Sequence, residues 1–269
     1  MMPYDADADP VLRALVAEGV ADPDVIGVVL HGSRSLGSAA PDSDYDIVFV
    51  VTDAAFERYE RSGTSPKRGQ SVAPPLDAVD LGHAAPSGLR LEQLEYWTLP
   101  GWADARVLFD RSGEVTQLLD ALRRMPEHRA RSLAAGAYDA YLNALYRSLK
   151  AWRRGDELGG RLQAAHSVDH LLAVLYALER RWRPYSDRLR FEVLNDQGWR
   201  PGELRSLLLD LLATGDPHLQ QALGTRVTAL LRARGYGQVE DDWNGRIAAM
   251  LEWTFPPHML GDRKDASDG

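Results

Sequence analysis

An α/β (α+β) domain built on a mixed sheet, followed by an all-α helical bundle, is the fold this sequence predicts, and three observations predict it. Through Asp110, strand-like runs alternate with helical patterns, which indicates a sheet layered with helices. Beyond Gly113 the apolar spacing settles into threes and fours and β-branched residues become few, as in packed helices. At 269 residues and 45% hydrophobic, the chain has enough material for two modest domains, each with its own core. The expected division is 1–112 and 113–269.

In order, Val11 to Val20 reads as a short helix, Val25 to Leu30 as an apolar strand, and Tyr45 to Thr52 as a second strand. A helix from about Asp53 to Arg61 follows. The stretch Ser62 to Pro75, SGTSPKRGQSVAPP, is rich in Gly, Pro and Ser and reads as a loop. Leu76 to Gly82 is the third strand and Ala105 to Phe109 the fourth. The helices expected next are Val115 to Arg124, Glu127 to Arg154, Leu162 to Arg181, Pro201 to Ala213, Pro217 to Arg234 and Trp243 to Trp253.

Composition excludes several classes of function. Without cysteine there is no disulfide framework, no thiolate nucleophile and no thiolate metal site. The start MMPYDADADP is acidic and lacks an apolar run, so it is no secretory signal, and no segment reaches membrane-spanning length. A cytoplasmic protein is expected. Net charge is −8, unevenly spread: through Asp110 there are 18 acidic and 8 basic residues, a balance of −10, which leaves +2 for the remainder. An acidic first half argues against gripping a long polyanion and favours a cationic small molecule over nucleic acid.

The chemistry lies between Val25 and Val51. An apolar strand ends at His31, Gly32 and Ser33 make a tight turn, and Asp44 and Asp46 flank Tyr45 at the head of the next strand. Residues two apart on a strand share a face, with Cα atoms about 6.6 Å apart. Two carboxylates so placed repel unless a cation compensates, and Mg²⁺ prefers one or two carboxylates completed by substrate phosphates. Gly32 lets the backbone approach a ligand and Ser33 offers a hydroxyl; the residues from Arg34 onward can open a helix whose amides favour phosphate. A metal-bound nucleoside triphosphate fits this pattern.

Strand, Gly32-Ser33, Gly37, the pair Ser43-Asp44, then Asp46 and Ile47 leading into a strand together resemble the signature of the DNA polymerase beta-like nucleotidyltransferase superfamily, above all the bacterial antibiotic and minimal nucleotidyltransferases. The resemblance implies transfer of a nucleoside monophosphate, AMP from ATP foremost, to an acceptor hydroxyl with release of pyrophosphate. It implies two Mg²⁺ ions, with Asp44, Asp46 and a third carboxylate as ligands, and Gly32, Ser33, Arg34, Gly37 and Ser43 around the triphosphate. Asp77 and Asp80 are the choices for the third carboxylate. Period-two alternation favours Asp80, because Val79 and Leu81 then form a core face; a slip of one residue would favour Asp77.

The helical half, from Ala137 to Tyr185, resembles the carboxyl-terminal domain of kanamycin-type nucleotidyltransferases and the related HEPN domains. On its first long helix Leu142, Leu145, Leu149 and Trp152 share one face, and Asp139, Asn143, Arg147, Lys150 and Arg154 form a polar stripe. Facing a cleft, that stripe would bring Arg147 or Lys150 to the triphosphate and Asp139 to the acceptor. An aminoglycoside is the acceptor the resemblance suggests, and a monomer or homodimer the assembly. Arg161 and His166 have the spacing of HEPN ribonucleases, as have Arg123 and His128. An antitoxin-type protein acting on protein or RNA, or a degenerate nucleotide binder, are the alternative readings.

Overall fold

The computed structural model describes residues 9–40, 43–63, 79–192, 194, 198–200 and 202–255. They form two compact units, Met1–Arg124 and Met125–Gly269. Each is described by itself.

The first unit is a four-stranded sheet of β1 (Val25–Leu30), β2 (Tyr45–Val51), β3 (Val79–Ala84) and β4 (Arg106–Asp110) in the order β3-β2-β1-β4. β1 runs antiparallel to β2 and β4, while β2 and β3 are parallel, so the sheet is mixed. Strand alternation divides its side chains between two faces. Val28, Leu30, Ile47, Phe49 and Val51 face a core shared with Leu12 and Leu15 of α1 (Pro10–Ala21) and Ala55 of the helix Asp53–Ser62. Asp9 caps α1, accepting from the Val11 N–H at 2.8 Å. On the other face a Cβ at Gly27 would come within 2.8 Å of Val115, so the backbone of β1 lies close under the helix Glu114–Leu122. That helix is held to β4 by the Asp110 carboxylate, which accepts from the Gly113 and Thr116 N–H groups at 2.8 Å each. It therefore falls in the first unit, and the boundary lies at 124 where a boundary at 112 was expected.

In chain order the helices are α1, α2 (Gly32–Ser35), α3 (Asp53–Ser62), α4 (Leu99–Ala103), α5 (Glu114–Leu122), α6 (Glu127–Arg153), α7 (Glu157–Leu178), α8 (Glu203–Thr214), α9 (Pro217–Ala233), α10 (Gly237–Asp241) and α11 (Arg246–Leu251). The second unit is α6 to α11, packed around Tyr138, Tyr141, Leu142, Leu145, Leu149, Leu171, Leu175, Leu211, Val227 and Leu231. Two helices differ from expectation. α7 starts at Glu157 instead of Leu162 because Asp156 caps it, accepting from the Gly159 N–H at 2.8 Å. The last helix, expected over 243–253, starts only at Arg246 as α11, after Asn244 and Gly245 adopt positive φ of 51° and 77°, and a separate short helix, α10, precedes it. β3 is described only from Val79, since 76–78 lie outside the described residues.

α6 and α7 meet through small residues. The buried Ser148 hydroxyl donates to the Gly160 carbonyl at 2.7 Å, and a Cβ on Gly160 would come within 2.7 Å of the Trp152 indole nitrogen. Gly160→Ala gains about 1 kcal/mol of helix propensity, yet it forces a buried indole out of place at a typical overpacking cost of about 1–3 kcal/mol. The expected outcome of urea denaturation is a net loss of stability.

Candidate active site

β1 and β2 converge at one end of the sheet. The backbone N–H of His31 donates to the Asp46 carbonyl at 2.8 Å, and the chain then turns at Gly32, where φ is +69°. A Cβ there would lie 1.8 Å from Asp46 Oδ2. The Asp46 carboxylate thus lies directly against the turn, an approach only glycine permits. Ser33 follows in α2, its carbonyl accepting from the Ser38 N–H at 3.0 Å. Gly37 also has a positive φ, +68°, with open space around it.

Arg34 has a constructional task. Its Nε donates to the Asp44 carbonyl at 3.0 Å, its Nη2 donates to the Ser43 carbonyl at 2.6 Å, and its guanidinium lies 3.8 Å from the Tyr45 ring centroid. Three contacts to consecutive residues hold the segment carrying the aspartates against α2. The Ser43 hydroxyl accepts from the Ala40 N–H at 2.9 Å and closes the preceding turn. The sequence reading put both side chains at the triphosphate; here they build the loop that presents Asp44.

On the neighbouring strand, the parallel register pairs Asp46 with Asp80. Adjacent strands lie about 4.8 Å apart, and register partners share a face. Leu81 is buried at 8% exposure in the core, so the alternation leaves Asp80 exposed on the face of Asp46 and Val48. Asp77 lies outside the described residues. Among the described residues no three His, Asp or Glu side chains are gathered into a metal cage. Asp44, Asp46 and Asp80 are the carboxylates of this region that could contribute oxygen donors to a hard cation such as Mg²⁺, whose shell phosphates complete.

His31 is a feature that its sequence position does not reveal. Its ring stands edge-on to Trp102 of α4 at 4.3 Å between centroids, and Nε2 is buried with no hydrogen-bond partner. Burial disfavours the imidazolium and pushes the pKa down to about 4. In the unfolded chain the same histidine takes up its proton near pH 6.5. Stability from this group is therefore full above about pH 6.5 and is lost as pH falls towards 4, a decline on the order of 3 kcal/mol. Denaturation at a series of pH values should show a shallower acid-side slope in His31→Phe than in the wild type.

Most of the other residues singled out from the sequence lie in the second unit. Arg147 Nε donates to Asn143 Oδ1 at 3.1 Å, the Lys150 ammonium stands 5.6 Å from the Tyr146 ring, and Asp139 accepts from the Trp243 indole at 2.9 Å. His166 is exposed on α7, and Arg161 is engaged by Glu157 and by the Ala213 carbonyl, each at 2.8 Å.

Residues 14–99 match the nucleotidyltransferase domain family. This segment is similar to a nucleotidyltransferase domain. It contains the Gly32 turn, Asp44, Asp46 and Asp80. Residues 93–188 match a domain of unknown function, DUF4037, which spans α6 and α7. Among solved structures the chain is similar to a nucleotidyltransferase-like protein from Exiguobacterium sibiricum 255-15, with 16% identity, 82% of this chain and 78% of that chain covered, and a TM-score of 0.38. That likeness is too loose to bear on the site. No curated protein matches the chain.

Proposed function

We propose that the chain transfers a nucleoside monophosphate, AMP from ATP foremost, to a hydroxyl of a small cationic acceptor such as an aminoglycoside. The observation that carries this reading is the Asp46–Asp80 register beside a glycine turn against which the Asp46 carboxylate lies. In the reaction the acceptor oxygen bonds to the α-phosphorus, the bond from that phosphorus to the α,β-bridging oxygen breaks, and pyrophosphate leaves. We assign Asp80 to take the hydroxyl proton, since it is exposed and on the face of Asp46. Asp44, Asp46 and Asp80 would hold Mg²⁺, which when bound neutralises phosphate charge. Gly32 and Ser33 offer the backbone and hydroxyl for the triphosphate, and Arg34 orients Asp44. The acidic balance of the first half suits a polycationic acceptor.

A direct test is titration calorimetry with ATP in the presence of Mg²⁺ or of EDTA. Affinity should fall by about tenfold or more without the cation, because triphosphate and aspartates then repel. Equal affinity in both buffers would remove the metal from the reading.

A further inference from the structure

Helices α7 and α8 of the second unit leave an apolar strip uncovered. Leu158 and Leu162 on α7 are 71% and 53% exposed, and Leu209 and Leu212 on α8 are 50% and 52% exposed. The two helices run side by side in opposite directions: Arg161 near the start of α7 donates to the Ala213 carbonyl at the end of α8, and a Cβ on Gly215 would strike Arg161 at 2.9 Å. On α7, Leu158, Leu162 and Ala165 follow at spacings of four and three. On α8, Arg205, Leu209 and Leu212 do the same, so each set forms one stripe. Adjoining the strip is a hollow of about 440 Å³ with Ala165 of α7 and Leu209 and Leu212 of α8 in its wall.

The charges around this hollow are of two kinds. Arg183 and Asp169 are paired at 2.5 Å and neutralise each other. Arg205 and Asp187 also line it, and among the described residues neither side chain has an ion-pair or hydrogen-bond partner. An apolar strip bearing one unpaired cation and one unpaired anion is complementary to itself. Under a two-fold axis, residue i of one copy meets residue j of the other and the reverse contact follows automatically.

We propose that a second copy of this chain covers the strip, with Arg205 of each protomer meeting Asp187 of the other and the leucines of each filling the other's hollow. The pair is isologous. Light scattering on the full chain at rising concentration should show a monomer–dimer equilibrium. Leu209→Glu combined with Leu212→Glu should leave monomer only, with an unchanged melting temperature of the monomer because both side chains already face solvent. Arg205→Asp sets like charges opposite each other and should raise the dimer Kd by about tenfold or more. Arg205→Asp combined with Asp187→Arg restores opposite charges and should restore the dimer. A wild type that stays monomeric at all concentrations would overturn the proposal and leave the strip to another kind of partner. So would a leucine double variant that still dimerises, or a charge swap that fails to restore what the single reversal lost.

Discussion

Asp44→Asn and Asp46→Asn are each expected to cost about a thousandfold in transfer, the scale of losing one preorganised electrostatic contact to a transition state, while the protein stays folded. Asparagine is nearly isosteric with aspartate, and Asp44 is exposed, so little packing is disturbed. What changes is charge. Without ligand each substitution relieves repulsion between neighbouring carboxylates, so the metal-free variant should melt no lower than the wild type. With Mg-ATP the order reverses, because only the wild type gains the binding contribution, about 2.7 kcal/mol at a hundredfold excess over Kd. Asp80→Asn should follow the same pattern, since Asp80 is the register partner of Asp46. Melting curves of the variants with and without Mg-ATP, beside transfer assays, make the comparison.

Gly32→Ala should be as damaging as loss of the aspartate itself. The positive φ of 69° costs a side chain about 1–2 kcal/mol in any protein. The larger effect is specific to this site: the new methyl group would sit 1.8 Å from Asp46 Oδ2, so the carboxylate must leave its place against the turn. Gly37→Ala is the control. Its φ of 68° is equally unfavourable, but nothing lies within 4 Å of the added carbon. Both variants should lose similar stability, and only Gly32→Ala should lose most of the transfer activity. Equal activity losses would mean that backbone strain, and not the Asp46 contact, explains the loss of transfer.

The parts of the fold that were legible in sequence are those where side-chain period and burial agree. Val25 to Leu30 and Tyr45 to Val51 alternate between two faces that are both covered near their centres, and their ends were read within one residue. The same alternation separated Asp80 from Leu81. Capping and backbone sign were harder to read. The start of α7 depends on one Asp156 hydrogen bond before a Gly-Gly pair that reads as a break, and the late start of α11 depends on two positive φ values. At the site, spacing was enough to bring the Gly32 turn and Asp46 together, which the structure places in contact. Arg34 reads as a phosphate ligand until its guanidinium is seen against Ser43, Asp44 and Tyr45. His31 reads as the end of a strand because nothing in the sequence brings Trp102 beside it.

The central claim is that Asp44, Asp46 and Asp80 direct nucleotidyl transfer, and the fate of the α-phosphorus tests it most directly. Nucleoside triphosphates labelled at that atom would be incubated with Mg²⁺ and a panel of aminoglycosides, proteins and tRNA. Label should pass to a small cationic acceptor with one pyrophosphate released per transfer, and Asp46→Asn should abolish both. Transfer that persisted at the wild-type rate in Asp46→Asn, or cleavage that released only inorganic phosphate from the γ-position, would contradict it.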